Sequence, residues 1–361
     1  MTTRHDSKKI CPHCGRSPAD GRKTALYIFL STLALGTVFL FASPLRNKPA
    51  GPQAPAVTTS YTGGLSPEKA DYIASSRADK SCQSCLAAAD AFLTEKKTAA
   101  LHEKTKGMSY ITPGEYHMGS PDGLGDPDEH PERSVTIDAF YIDQHEITIA
   151  EYMKFVADSG GNHPEWGKPE GKFNIDTGGE KYYKHLSSQL KTCADCPIVG
   201  VTFRNAEDYC RAKNKRLPTE AEWETAARSG SNSAFSFGDD PSEAGDYAWY
   251  EKNSGENLHQ VGQKKPNSLG IYDMHGNVWE WVSDLYDKEY YAYAQKRNPQ
   301  GAETGREHVI RGGSWAFDAT YLRSANRASS ERANDDIGFR CAVSKSEISP
   351  AITPNAEPEK F

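Results

Sequence analysis

The sequence predicts a mixed fold of short strands and a few helices, without a parallel α/β sheet, behind one membrane-spanning segment. Three observations predict it. From Met108 onward turns are frequent, apolar runs are short, and Gly, Trp and Tyr are abundant. Only two helices are clear in that region, and neither alternates with a strand. Finally, Ala25 to Ala42 carries no charge over 18 residues, which reaches spanning length.

The chain has 361 residues, 25% charged and 37% hydrophobic, enough for one large domain or two smaller ones. The formal charge is −7. Residues 1–24 hold Arg4, Lys8, Lys9, Arg16, Arg22 and Lys23 against Asp6 and Asp20, leaving 36 basic against 47 acidic residues in the rest. An acidic body argues against a nucleic-acid partner. Its 18 Tyr and 6 Trp mark a folded body rather than a disordered one.

In chain order, residues 1–24 form a cytoplasmic tail containing Cys11 and Cys14. One CxxC supplies half of a tetrahedral zinc site. Two readings stay open: a zinc-clasped homodimer, or an unmetallated tail. Residues 25–43 read as a transmembrane signal anchor with a cytoplasmic N-terminus, the rival being a cleaved signal peptide. Pro44 after Ser43 and the long basic segment in front favour the anchor. Residues 44–66, rich in Pro, Gly, Ser and Thr, are a flexible linker. Residues 67–106 read as helical and hold Cys82 and Cys85. Leu86 stands where haem attachment needs His, so a local disulfide or a working dithiol remains.

Beyond Met108, Ser134–Tyr141 and His308–Arg311 read as strands. Thr148 caps a helix running to Ser159. Thr219 and Glu222 form a capping box for a helix ending at Arg228. The tail 346–361, with three prolines, reads as disordered. The most informative stretch is Gly270 to Tyr286. Gly276-Asn277 is a turn dipeptide, and Glu280 lies between Trp279 and Trp281, seven residues after Asp273. Carboxylates and carbonyls around a glycine turn suit a hard cation; the plainer reading is a Trp-anchored surface turn. His275 within it reads as a solvated turn residue.

The segments MSYITPGEYHMGS, FYIDQHEITIAEYMKF, PIVGVTFRNAEDYC, KRLPTEAEWETAAR, KKPNSLGIYDMHGNVWEWVSDLY, RGGSW and GFRCA occur in this order. Together they resemble the formylglycine-generating enzyme, or sulfatase-modifying factor, family over residues 107–345. The resemblance implies an α+β fold of the C-type lectin-like kind, with little regular secondary structure. It implies a structural calcium ion held by Asp273, the carbonyls of Gly276 and Val278, and Glu280. It also implies a disulfide between Cys210 and Cys341. A second calcium site of some members falls on Trp249, which offers no oxygen. The anchor puts residues 44–361 outside the cytoplasm, tethered to the membrane, and the resemblance implies a bacterial setting, so the expected location is the periplasmic side of the inner membrane.

The chain departs from the family at its chemistry. The oxidase holds Cu(I) on two cysteines after the GGS motif, and Cu(I) demands soft thiolates. Here RGGSWAFDATYLRSANR has no cysteine, and Phe317 stands at the first position. Copper is therefore not expected. Ser314 and Trp279 match pocket residues, with Arg311, Arg323 and Arg327 as positive charges and Asp318 among them. Cys193 and Cys196 form a local disulfide, pair with Cys82 and Cys85 in disulfides, or join them in a four-thiolate metal site. Two functions follow. The first is a membrane-tethered, non-catalytic factor that binds a protein or peptide client in the cell envelope. The second is an oxidoreductase, either of the formylglycine-generating type or of altered redox chemistry that uses CxxC dithiols or a recruited metal.

Overall fold

The computed structural model describes residues 94, 95, 98 and 101–348. The expected cytoplasmic tail, anchor, linker, Cys11/Cys14, Cys82/Cys85 and most of the C-terminal tail lie outside the described residues. Among the described residues no helix is long and apolar enough to cross a membrane. The chain divides between His102 and Glu103, and the unit from Glu103 onward carries the fold treated below.

Strands β1 (Met108–Ile111), β4 (Phe140–Asp143) and β9 (Ala342–Ser344) make an antiparallel sheet in the order β1-β4-β9. Strands β2 (Gly114–Met118) and β3 (Arg133–Ile137) pair with Gly114 opposite Ile137. The single strand expected over Ser134–Tyr141 is thus two strands. Val135 and Ile137 are buried, and so are Phe140 and Ile142. That spacing slips the period-two burial by one residue, so no continuous strand could bury both pairs. The break falls at Asp138, which bonds Arg297 and Asn298 on the surface.

The main sheet has the order β7-β6-β5-β8, from β5 (Trp279–Leu285), β6 (His308–Arg311), β7 (Arg327–Ser330) and β8 (Ile337–Gly338). Alternation along β5 decides the core. Trp279 and Trp281 point into a cluster with Tyr152, Tyr209 and Phe339. On the other face Val282 joins a cluster containing Trp223, and Glu280 there meets the Trp223 indole.

Helix α1 (Ile149–Ser159) starts at a Thr148–Glu151 capping box and ends at left-handed Gly160. It buries Ile149, Tyr152, Phe155 and Val156 on one face. Helix α2 (Ser187–Thr192) is short, and α3 (Phe203–Ala212) begins at Thr202. Helix α4 (Glu220–Arg228) has the expected Thr219–Glu222 capping box and is buried along all its residues. Such a helix needs internal partners for its charges. Arg311 and Arg327 supply them to Glu220 and Glu224. A disulfide joins Cys210 of α3 to Cys341, 131 residues apart. A second closes Cys193 to Cys196 locally.

Candidate functional site

The turn before β5 is shaped by left-handed backbone at Asp273, Gly276 and Asn277. At Gly276 the requirement is strict: φ is +89°, and a Cβ would sit 2.3 Å from the Trp249 carbonyl oxygen. The turn gathers distant segments. The Gly276 N–H donates to Gly312 O, the Asn277 N–H to Trp249 O, the Trp315 N–H to Asn277 O, and the Trp279 N–H to Asp336 O.

Under this turn lie three buried carboxylates and one guanidinium. Arg340 donates to Glu280 from Nε at 2.7 Å and from Nη2 at 2.6 Å, and Trp223 Nε1 adds a third bond at 2.8 Å. Glu280 is therefore satisfied without a metal. Asp273 and Glu146 are not. Asp273 Oδ2 accepts from the Gly262 N–H at 2.7 Å, and Glu146 Oε2 accepts from Asn277 Nδ2 at 3.1 Å. Their other oxygens, Asp273 Oδ1 and Glu146 Oε1, are buried without a partner. Desolvation pushes the Asp273 carboxyl up to about 6, with the Glu280 charge adding to it. Desolvation, then the charges of Asp273 and Glu280, push Glu146 well above the usual carboxylate range. The Asp273 charge is among the causes that raise Glu146, and both acids are buried beside Glu280 and Arg340. Such a pair binds one shared proton or one cation.

The donors fit a hard cation in part. Asp273 has a free oxygen, as the resemblance implies, and Gly276 and Val278 belong to the same buried turn. The Glu280 side chain does not fit, because both its oxygens take the Arg340 fork. Glu146 is the acid that sequence reading missed. Its signal was the HEIT segment just ahead of the α1 cap. Among the described residues no three His, Cys, Asp or Glu side chains converge on one point as a metal cage. Trp249, at the second calcium position, is instead stacked on His259 and covered by the Lys264 ammonium at 3.9 Å.

His275 is not solvated. It is 3% exposed, with Nδ1 against Leu322 O at 2.7 Å and Nε2 accepting from the Ser236 N–H. Burial pushes its pKa down to about 4.

The segment after the double glycine forms the other half of the site. Ser314 is fully buried and donates to Asp336 Oδ2 at 2.8 Å. Asp336 Oδ1 has no partner, and burial pushes this carboxyl up to about 6. Phe317 stands edge-on to Trp279 at 5.5 Å and to Tyr321 at 4.9 Å. Trp279 itself is only 2% exposed, so Phe317 and Tyr321 carry the aromatic face outward. Next to them a cavity of about 280 Å³ is lined by Gly125, Asp126, Thr320, Tyr321, Arg323 and Asn326. Arg311 and Arg327, expected as charges for this pocket, are engaged inside the fold by Glu224 and Glu220. Arg323 reaches the cavity but is held by Glu129 through both terminal nitrogens. Asp318 caps the turn Ala319–Leu322 and binds nothing else in the site.

Residues 94–345 match the sulfatase-modifying factor enzyme 1-like domain family. The chain belongs to this family. It is 31% identical over 292 residues to the formylglycine-generating enzyme of Streptomyces coelicolor, across 69% of this chain and 92% of that one. It is 27% identical over 284 residues to the mouse protein called inactive C-alpha-formylglycine-generating enzyme 2, across 67% of this chain and 87% of that one. Among solved structures it resembles PvdO from Pseudomonas aeruginosa, with a TM-score of 0.54, 28% identity, and 67% and 96% of the two chains covered. The sulfatase-modifying-factor fold is therefore established, and with it the disposition of the GNVWEW turn. Among the described residues no free thiol stands beside it. All four cysteines among the described residues are in disulfides.

Proposed function

We propose that this sulfatase-modifying-factor domain is a binding module that presents a client-recognition face, and does not make formylglycine with copper. The observation that carries the reading is the Phe317 ring on Trp279, where the resemblance places the first copper cysteine. A phenyl ring neither binds Cu(I) nor exchanges disulfides. With Tyr321 at 40% and Leu124 at 62% exposure, the neighbouring surface has apolar anchors suited to an extended peptide. Asp126 at the cavity adds an acidic contact for a basic residue of the client.

The domain works in the envelope, tethered through residues 25–43 to the inner membrane, with its client a periplasmic or membrane protein. The tail pair Cys11/Cys14 is proposed to clasp zinc between two copies. Calcium is proposed beneath the GNVWEW turn, held by the free oxygens of Asp273 and Glu146 together with carbonyls of the turn. What supports it is the pair of orphaned, buried carboxylate oxygens. Bound there, calcium neutralises the excess of carboxylates over Arg340 and stiffens the turn.

The decisive experiment incubates the full chain with copper and a cysteine-bearing sulfatase peptide. No formylglycine is expected, and multiple turnovers would overturn the reading. Alkaline extraction of membranes tests the tether: release of the intact chain into the soluble fraction would refute it.

A further inference from the structure

A separate site lies on the α1 side of the domain. A cavity of about 400 Å³ is walled by Ile149, Met153, Trp166, Ile175, Leu190 and Cys193, among others. Its lining is mainly apolar, and the charges that reach it, Lys191 and Asp176, are exposed and paired with each other. Nothing in the client face described above uses this cavity.

The unusual element of its wall is a disulfide. Cys193 lines the cavity, whereas its partner Cys196 is 2% exposed. The protein's other described disulfide, Cys210–Cys341, has both residues at 0%. Exchange needs an attacking thiolate to reach a sulfur, so access separates the two bonds. The CxxC turn is also fixed to the start of α1: the Ile149 N–H donates to Cys196 O at 2.8 Å and the Ala150 N–H to Ala194 O at 2.9 Å.

We propose that Cys193–Cys196 is a thiol-exchange site whose partner is an extended peptide carrying two cysteines flanked by apolar residues. The peptide's apolar side chains enter the groove. One peptide thiolate attacks Cys193 Sγ, and the Cys193–Cys196 bond breaks. Cys196 leaves as a thiolate, and a mixed disulfide joins the peptide to Cys193. The second peptide thiolate then attacks the peptide's own sulfur in that bond. The peptide gains a disulfide and loses two electrons and two protons, and Cys193 and Cys196 receive them as two thiols. The occupant follows from the wall: an apolar groove with a neutralised rim and a half-buried disulfide cysteine in its lining selects an apolar dithiol.

The test uses the full chain in its oxidised form, incubated with a short reduced peptide bearing a CxxC flanked by leucines. Opened cysteines are alkylated and assigned by peptide mapping, which separates Cys82/Cys85 and Cys11/Cys14 from the pair of interest. Cys193 and Cys196 are expected to label at least about tenfold faster than Cys210 and Cys341. Acid quenching is expected to trap the peptide on Cys193. Equal labelling of the two disulfides overturns the site. Met153→Glu is expected to slow the leucine peptide while leaving a small dithiol reagent unaffected. A leucine peptide no faster than one flanked by aspartates overturns the groove's part in it. Formylglycine formation fails or succeeds independently, so the two readings are separable.

Discussion

Protonation of His275 offers a quantitative test of how the central turn is held. The ring donates from Nδ1 to Leu322 O, while Nε2 faces the Ser236 N–H at 3.2 Å and the Ser236 hydroxyl at 2.9 Å, so a second ring proton would break the N–H bond and force the hydroxyl to accept. The folded-state pKa is depressed to about 4 from 6.5. A depressed histidine stabilises the fold where it is neutral in both states, above the unfolded value. That stability drains as pH falls through 6.5, because the unfolded chain takes up the proton first. The whole shift corresponds to roughly 3 kcal/mol, of which about 2 kcal/mol is lost between pH 7 and pH 5. Buried acids act in the opposite sense. Asp336 is raised to about 6 and Asp284 to about 7, so each relieves strain on the fold as pH falls. The informative quantity is therefore the difference between wild type and His275→Gln in urea unfolding at the two pH values. The variant will be less stable at both, since it disturbs the Leu322 and Ser236 bonds, but its pH slope should lose about 2 kcal/mol. Parallel pH dependences for the two proteins would refute the buried neutral imidazole.

Other expectations follow from the same geometry. Replacing Cys210 and Cys341 together by alanine frees a 131-residue separation, and should cost about 5 kcal/mol on the chain-entropy model, read by urea midpoint. Arg340→Met leaves the buried Glu280 without its counter-charge, with only the Trp223 bond, and should destabilise by about 3–5 kcal/mol; a loss below about 1 kcal/mol would show that water replaces the guanidinium. If calcium sits on Asp273 and Glu146, chelation lowers the melting temperature of wild type, and Glu146→Gln removes that dependence. An unchanged calcium response in Glu146→Gln would refute the ligand assignment.

Much of the local structure was legible in the residues alone. The Thr148 and Thr219 caps, strand His308–Arg311 and the ordered family segments depend on neighbours a few positions apart, and the structure has them where expected. The site was legible only by halves. Asp273 and Glu280 stand out beside the GNVWEW turn, but which of them has a free oxygen does not. That is decided by Arg340, 60 residues on, and by Trp223, 57 residues back. Glu146 enters from 131 residues before Asn277, and its pairing leaves no mark on local pattern. The pocket arginines looked available because a sequence shows charge and not burial; helix α4 packs inside, so its glutamates must be neutralised there by Arg311 and Arg327. The sequence by itself determined caps, turns and family, because these follow from short-range sterics and hydrogen bonds. The tertiary structure alone decided which buried charges are paired and which remain open, because desolvation is a property of the assembled core.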